Sequence, residues 1–316
     1  LNTSTGTTVT ASPSSSTTYT ITSSYPGCPL VDSMVTIAVD PTPTLTLTPT
    51  NISCNGLTTG SITATGNATA PMTMTLNPSG VMVNTSPFVF SNLGIGTYMV
   101  VISSAAGCTT SSVVNITQPN AMIWSNIQAT NPLCVGISNG AIQVNATGGT
   151  GTINYTLLPG GSVNTTGNFP GLSTGTYTVN AVDAAGCSVS TLLTLNTPNA
   201  IVWTLATSTN ITPCNGASNG TITVSANGGI GTLTYTLNPL SMVNTTGVYT
   251  GLGASVYTVV VTDINGCTNT TNLTLTQPAQ LFFNAGASIP VTCNGGSNGS
   301  LTSHAAGGTG AIQYIL

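Results

Sequence analysis

Residues 134–159 read CVGISNGAIQVNATGGTGTINYTLLP, and residues 214–239 read CNGASNGTITVSANGGIGTLTYTLNP. In both, apolar side chains alternate with polar ones: Ile142/Val144 and then Ile153/Tyr155/Leu157, Ile222/Val224 and then Leu233/Tyr235/Leu237. A period of two is the signature of a half-buried strand. The Gly-Gly-x-Gly between the two runs is a turn. A strand rather than a helix follows it, which excludes a nucleotide-binding loop. Downstream comes Tyr-x-Val-x-Val, as Tyr98/Val100/Ile102, Tyr177/Val179/Ala181 and Tyr257/Val259/Val261. The tyrosines are expected in the core. A D-x-x-G-C turn at Asp183 and Asp263 closes a tight hairpin.

This block recurs along the chain. One cysteine series is Cys54, Cys134, Cys214 and Cys293, within C-x-G-x-x-x-G. A second is Cys28, Cys108, Cys187 and Cys267, each preceded by glycine. Pro41, Pro119, Pro198 and Pro278 mark the boundaries. Five modules follow, the outer two partial: I (1–40), II (41–118), III (119–197), IV (198–277) and V (278–316). Leu1-Asn2-Thr3 aligns with Val83-Asn84-Thr85, so module I enters near its fourth strand, and Leu316 falls on a third strand. About seven short strands per module, with turn signals every 8–12 residues, predict an all-β chain of small β-sandwiches.

Composition narrows the function. The 316 residues include no Lys or Arg, four acidic residues (all Asp) and one His, for a net charge of −4. Without cations the chain cannot neutralise phosphates, so no nucleic-acid partner is expected. A GxxxxGK loop and Schiff-base chemistry are impossible, and four scattered carboxylates offer little for acid–base catalysis. The expectation is a non-enzymatic chain without cofactor or metal. No apolar run is long enough for a membrane helix. Leu1 opens a Thr/Ser-rich stretch without a basic leader, which suggests a start inside a larger precursor. Eight cysteines without CxxC spacing point to disulfides and an oxidising, extracellular compartment. Because so few groups titrate, stability is expected to be nearly independent of pH.

The ordered motifs CNG-x-x-x-G, GG-x-G, Y-x-L, G-x-Y-T-V and D-x-x-G-C in modules II–V resemble the SprB-type repeats of very large Bacteroidota surface adhesins. Module I, with Thr17-Thr18-Tyr19-Thr20 and Gly27-Cys28, is similar to the second half of an immunoglobulin-like module. The resemblance implies tandem immunoglobulin-like sandwiches, export by the type IX route, and a place at the cell surface in adhesion or gliding. Ser104 stands where Asp183 and Asp263 stand, a departure from the acidic turns of such repeats. One carboxylate per turn is also a poor calcium site.

Two disulfide registers fit the spacing. Within modules, Cys54–Cys108, Cys134–Cys187 and Cys214–Cys267 each staple one module and leave Cys28 and Cys293 to partners outside the chain. Across boundaries, Cys28–Cys54, Cys108–Cys134, Cys187–Cys214 and Cys267–Cys293 use all eight. The second requires the linker to fold back, so the first is the expectation. The main functional expectation is a stalk or filament segment whose partners are neighbouring copies in a fibre. Trp124 and Trp203 are expected to pack in the core or between modules; one alternative function is repeated glycan-binding modules, in which they stack on surface polysaccharides. Another is a subunit polymerising head to tail through a split module, which calls for a Cys293–Cys28 bond between copies. His304 is expected on a solvent-facing strand position.

Overall fold

The computed structural model describes residues 8–316, and every regular element among them is a strand. Module I supplies β1 (Thr17–Ser23) and β2 (Val31–Ile37). Module II supplies β3 (Thr44–Thr50), β4 (Gly60–Asn67), β5 (Thr73–Asn77), β6 (Val81–Val83), β7 (Phe88–Leu93), β8 (Gly96–Ser103) and β9 (Thr109–Ile116). Module III repeats the set as β10 (Ile123–Thr130), β11 (Gly140–Thr147), β12 (Asn154–Leu158), β13 (Ser162–Asn164), β14 (Asn168–Leu172), β15 (Gly175–Val182) and β16 (Ser188–Leu195). In module IV the strands are β17 (Val202–Thr209), β18 (Gly220–Asn227), β19 (Thr234–Asn238), β20 (Met242–Asn244), β21 (Val248–Leu252), β22 (Ser255–Thr262) and β23 (Thr268–Leu275). Module V ends the chain with β24 (Phe282–Ile289) and β25 (Ser300–Ala306).

Each complete module is two antiparallel sheets. The first, second and fifth strands form one sheet, as in β3-β4-β7; the fourth, third, sixth and seventh form the other, as in β6-β5-β8-β9. This seven-strand order, with its short fourth strand beside the third, is immunoglobulin-like. The alternating residues meet between the sheets. Ile62, Ala64, Met74, Leu76, Val100 and Ile102 are fully enclosed in module II, and Ile222, Leu237, Tyr249, Val259 and Val261 in module IV. At the top of each sixth strand a tyrosine hydroxyl donates to a backbone carbonyl four residues upstream. The pairs are Tyr98 to Gly94 (3.2 Å), Tyr177 to Ser173 (3.0 Å) and Tyr257 to Gly253 (3.1 Å). This is the tyrosine corner of such sandwiches, and it locks the turn between the fifth and sixth strands.

The alignment of Leu1-Asn2-Thr3 lies outside the described residues. At the other end, residues 311–316 carry the third-strand pattern but form no ladder. A third strand pairs with the sixth and the fourth, and module V has neither in this chain. Tyr314 nevertheless accepts the Ala305 N–H at 3.0 Å, as Tyr155 accepts Ala146 (2.9 Å) and Tyr235 accepts Ala226 (3.1 Å).

Backbone contacts gather the chain into two compact units, and the division cuts across module III rather than between modules. The first takes the chain up to Asn126 with Val144–Gly167 and Val179–Thr191; the second takes Ile127–Gln143, Asn168–Thr178 and Leu192–Leu316. Each unit is thus centred on a junction between successive modules.

Candidate functional site: the module junction

Hydrogen bonds fix which loops share an end of a sandwich. The C-x-G loop between the first and second strands lies with the end of the seventh: Ile52 N–H donates to the Thr117 carbonyl (3.0 Å), and Ile211 N–H to Thr276 (3.0 Å). The Gly-Cys turn between the sixth and seventh strands lies at the other end, beside the turn between the second and third strands, which is the Gly-Gly turn in modules III and IV. There Ala105 N–H donates to Thr69 (3.2 Å) and Ala184 N–H to Thr150 (3.0 Å). The two cysteines of one module therefore stand a strand apart, and an eight-residue strand is about 26 Å long.

That separation overturns the expected pairing. A disulfide needs Cα atoms within about 7 Å, so Cys54–Cys108, Cys134–Cys187 and Cys214–Cys267 cannot close. The cross-boundary register fails for the same reason, because it joins the far ends of neighbouring modules. Instead Cys54 bonds Cys187 and Cys134 bonds Cys267, each across 133 residues with Cα atoms 5.5 Å apart. The rule is that the C-x-G cysteine of one module bonds the Gly-Cys cysteine of the next. Cys28, Cys108, Cys214 and Cys293 are free thiols in this structure. Strand polarity was the signal that could have found this pairing. Assigning each loop to an end of the sandwich excludes both spacing-based registers.

Asp183 and Asp263 position the bonded turns. Asp183 is buried; its carboxylate accepts N–H bonds from Ala185 (2.9 Å), Cys187 (2.8 Å) and, across to the Gly-Gly turn, Thr150 (2.6 Å). Asp263 accepts the equivalent bonds from Asn265, Cys267 and Ile230, each at 2.9 Å. Burial pushes both carboxyl pKa values up, but these N–H donors outweigh it and hold them below the usual carboxylate range. In module II Ser104 replaces the aspartate, and the linker supplies the carboxylate. Asp40 accepts hydroxyl bonds from Ser104 and Thr69, which hold its pKa down. The oxygens of Asp183 and Asp263 face N–H donors, an environment made for the carboxylate itself. Among the described residues no group of three or more His, Cys, Asp or Glu converges as a metal site.

The linker is clamped as well. Asn55 Nδ2 donates to the Pro119 carbonyl (3.0 Å) and Gly56 N–H to Gln118 Oε1 (2.9 Å); Asn215 and Gly216 repeat this on Pro278 (2.8 Å) and Gln277 (2.9 Å). Val135 and Thr197 take those places in module III. The next module's Gly-Gly turn donates back to the linker, Gly149 N–H to Asn120 (2.9 Å) and Gly229 N–H to Asn199 (2.8 Å). A cleft of ≈ 310 Å³ lies beside Cys54–Cys187, and one of ≈ 240 Å³ beside Cys134–Cys267.

Trp124 and Trp203 do not reach this site. Each is half-buried in its own sandwich, 6.3 Å from the Tyr155 ring and 6.2 Å from the Tyr235 ring. Both indole N–H groups are enclosed without a hydrogen-bond partner. His304 is exposed on β25.

Three segments, residues 126–162, 205–242 and 285–316, match the SprB repeat. They cover the opening strands of modules III, IV and V, with the C-x-G and Gly-Gly motifs; module II, expected to match too, lies outside them. No curated protein matches the chain. Among solved structures, the titin I-band fragment I67-I69 is 13% identical, covers 76% of this chain and 99% of that one, and superposes with a TM-score of 0.42. Sidekick-1 immunoglobulin domains 1-5 are 13% identical over 84% of this chain and 67% of theirs, with a TM-score of 0.32. The strand order above, not these superpositions, makes the sandwiches immunoglobulin-like.

Proposed function

We propose that the chain is a tension-bearing segment of an extracellular stalk or filament. In this reading it belongs to a large type IX-secreted Bacteroidota surface adhesin serving attachment or gliding. The SprB repeat segments support the surface assignment. One observation carries the mechanical reading: the two disulfides interlace, because Cys134 lies inside the loop closed by Cys54 and Cys187. Non-interlaced staples would leave a weak point between loops. Here module III is crossed by both.

The covalent network limits extension. Fully drawn out, the backbone from Cys54 to Cys267 spans about 740 Å at roughly 3.5 Å per residue. With both bonds closed, the shortest covalent route crosses Cys54–Cys187, returns along the module III backbone to Cys134, and leaves by Cys134–Cys267. That route stops at about 190 Å. Unfolding under load therefore cannot release the hidden length of modules II–IV.

Single-molecule pulling of the oxidised and the reduced chain tests this. Reduced, the Cys54–Cys267 stretch should yield about 740 Å of contour. Oxidised, it should yield about a quarter of that. Equal contour lengths in the two states would refute the tension-bearing reading.

A further inference from the structure

The junction between modules IV and V is built on one side only. Asn215 and Gly216 clamp the linker as at the II–III junction, and Gly308 N–H donates to the Ala279 carbonyl at 2.7 Å. Thr309 Oγ1 reaches the Pro213 carbonyl at 3.1 Å. Cys214 is exposed beside a cleft of ≈ 460 Å³, larger than the ≈ 240 Å³ and ≈ 310 Å³ of the closed junctions. At the two closed junctions the Gly-Cys turn of the next module, with Cys187 or Cys267, fills this place. Module II presents the reverse case. Its Gly-Cys turn is closed by Asp40 and Ser104, and the half-buried Cys108 sulfur stands 3.9 Å from the Asp40 carbonyl. Among the described residues no C-x-G cysteine faces it.

We infer that Cys214 is half of a third junction disulfide, made with the Gly-Cys cysteine of the repeat that completes module V, and that Cys108 is half of a fourth, made with a C-x-G cysteine preceding module II. The two bonded junctions supply the rule, and the half-built junctions supply the geometry. Each bond forms by thiol–disulfide exchange with a small-molecule or protein disulfide. One cysteine thiolate attacks it and expels a thiol. The partner thiolate then displaces the second thiol, so two cysteine thiols are oxidised as one disulfide is reduced to two thiols.

The completing repeat can stand on the same polypeptide or on a second copy. The four free thiols are two of each kind, and the spacing of Cys214 and Cys293 along the chain matches that of Cys28 and Cys108 to within one position. A second copy would therefore pair Cys214 with Cys28 and Cys293 with Cys108 together. The Cys293–Cys28 bond expected from the sequence breaks the junction rule.

The test is a disulfide map of the native polypeptide, its free thiols blocked with N-ethylmaleimide before denaturation and digestion with pepsin. Cys54–Cys187 and Cys134–Cys267 peptides in the same digest report that native pairing survived. A Cys214 peptide joined to a Gly-Cys peptide, with the denatured mass unchanged by reduction, upholds the inference and places the partner on the same polypeptide. Cys214 joined to Cys28, in a ladder that reduction or a Cys214→Ser/Cys293→Ser double variant collapses to single chains, upholds it with a second copy. Alkylated Cys214, or Cys214 bonded to another C-x-G cysteine, overturns it.

Discussion

Asp183 accepts three backbone N–H bonds, two within its five-residue turn and one across from Thr150, and Asp263 does the same one module later with Ile230. Removing such an acceptor strands buried donors, so Asp183→Ala should destabilise its junction by about 2–3 kcal/mol. Thermal melts in matched buffers measure this. These carboxylates also correct the expectation of pH independence. Asp40, Asp183 and Asp263 are all held below the ordinary value of 3.8 in the folded chain. Their contribution is therefore complete above that value and lost as pH falls through the lower folded pKa. Melting temperature should stay level from about pH 8 to pH 5 and drop below about pH 4. The drop should shrink in an Asp183→Ala/Asp263→Ala double variant. A wild-type melting temperature at pH 2.5 equal to that at pH 7 would remove the linkage. The turn aspartates themselves were legible in the sequence as turn-formers. That Asp40 stands in for the residue lost at Ser104 was not, because the two are 64 positions apart and meet only in the fold.

At the scale of elements, the glycines of the Gly-Gly turn are positional. Gly148 and Gly228 have φ of +90° and +97°, and a Cβ on either would overlap the linker carbonyl of Ala121 or Ala200. Each turn is thus pressed against its own module's entry segment. Gly228→Ala combines a left-handed strain with a backbone clash that no rotamer relieves, and should cost about 3 kcal/mol or more. Gly171→Ala makes a control: it has φ +73° with open space around it, so only the strain of about 1 kcal/mol applies. Denaturant titration of the two variants should separate them. Similar losses would mean that the linker yields. The alternation of Ile142/Val144 or Tyr257/Val259/Val261 announced strands plainly, since one face of each is buried. The tyrosine corner was hidden, because a core tyrosine and a corner tyrosine have the same spacing. Only the hydroxyl's partner tells them apart.

Over the whole molecule, stability is shared through bonds that each span more than a module. Closing a loop of 133 residues restricts the unfolded chain by about 5 kcal/mol in the loop-entropy treatment. Because the loops interlace, opening one leaves module III still tied by the other. A Cys54→Ser/Cys187→Ser variant should therefore lower the melting of modules II and III and leave module IV nearly unchanged. Full reduction should lower all three. Hydrogen exchange read module by module distinguishes the patterns, and uniform loss in the double variant would mean that the staples do not act locally.

The repeat length, the strands, their core faces and the turn positions were determined by the sequence alone. They rest on period-two alternation and on glycine, aspartate and cysteine at fixed offsets, all local features of the chain. The disulfide partners and the service of Asp40 at a turn 64 positions away were decided only by the tertiary structure. The reason is geometric. Spacing along a chain says how far apart two cysteines are in residues, but a sandwich sends successive strands in opposite directions. Strand alternation gives the end each loop reaches, but which sulfur it meets there is fixed only once the next module is docked.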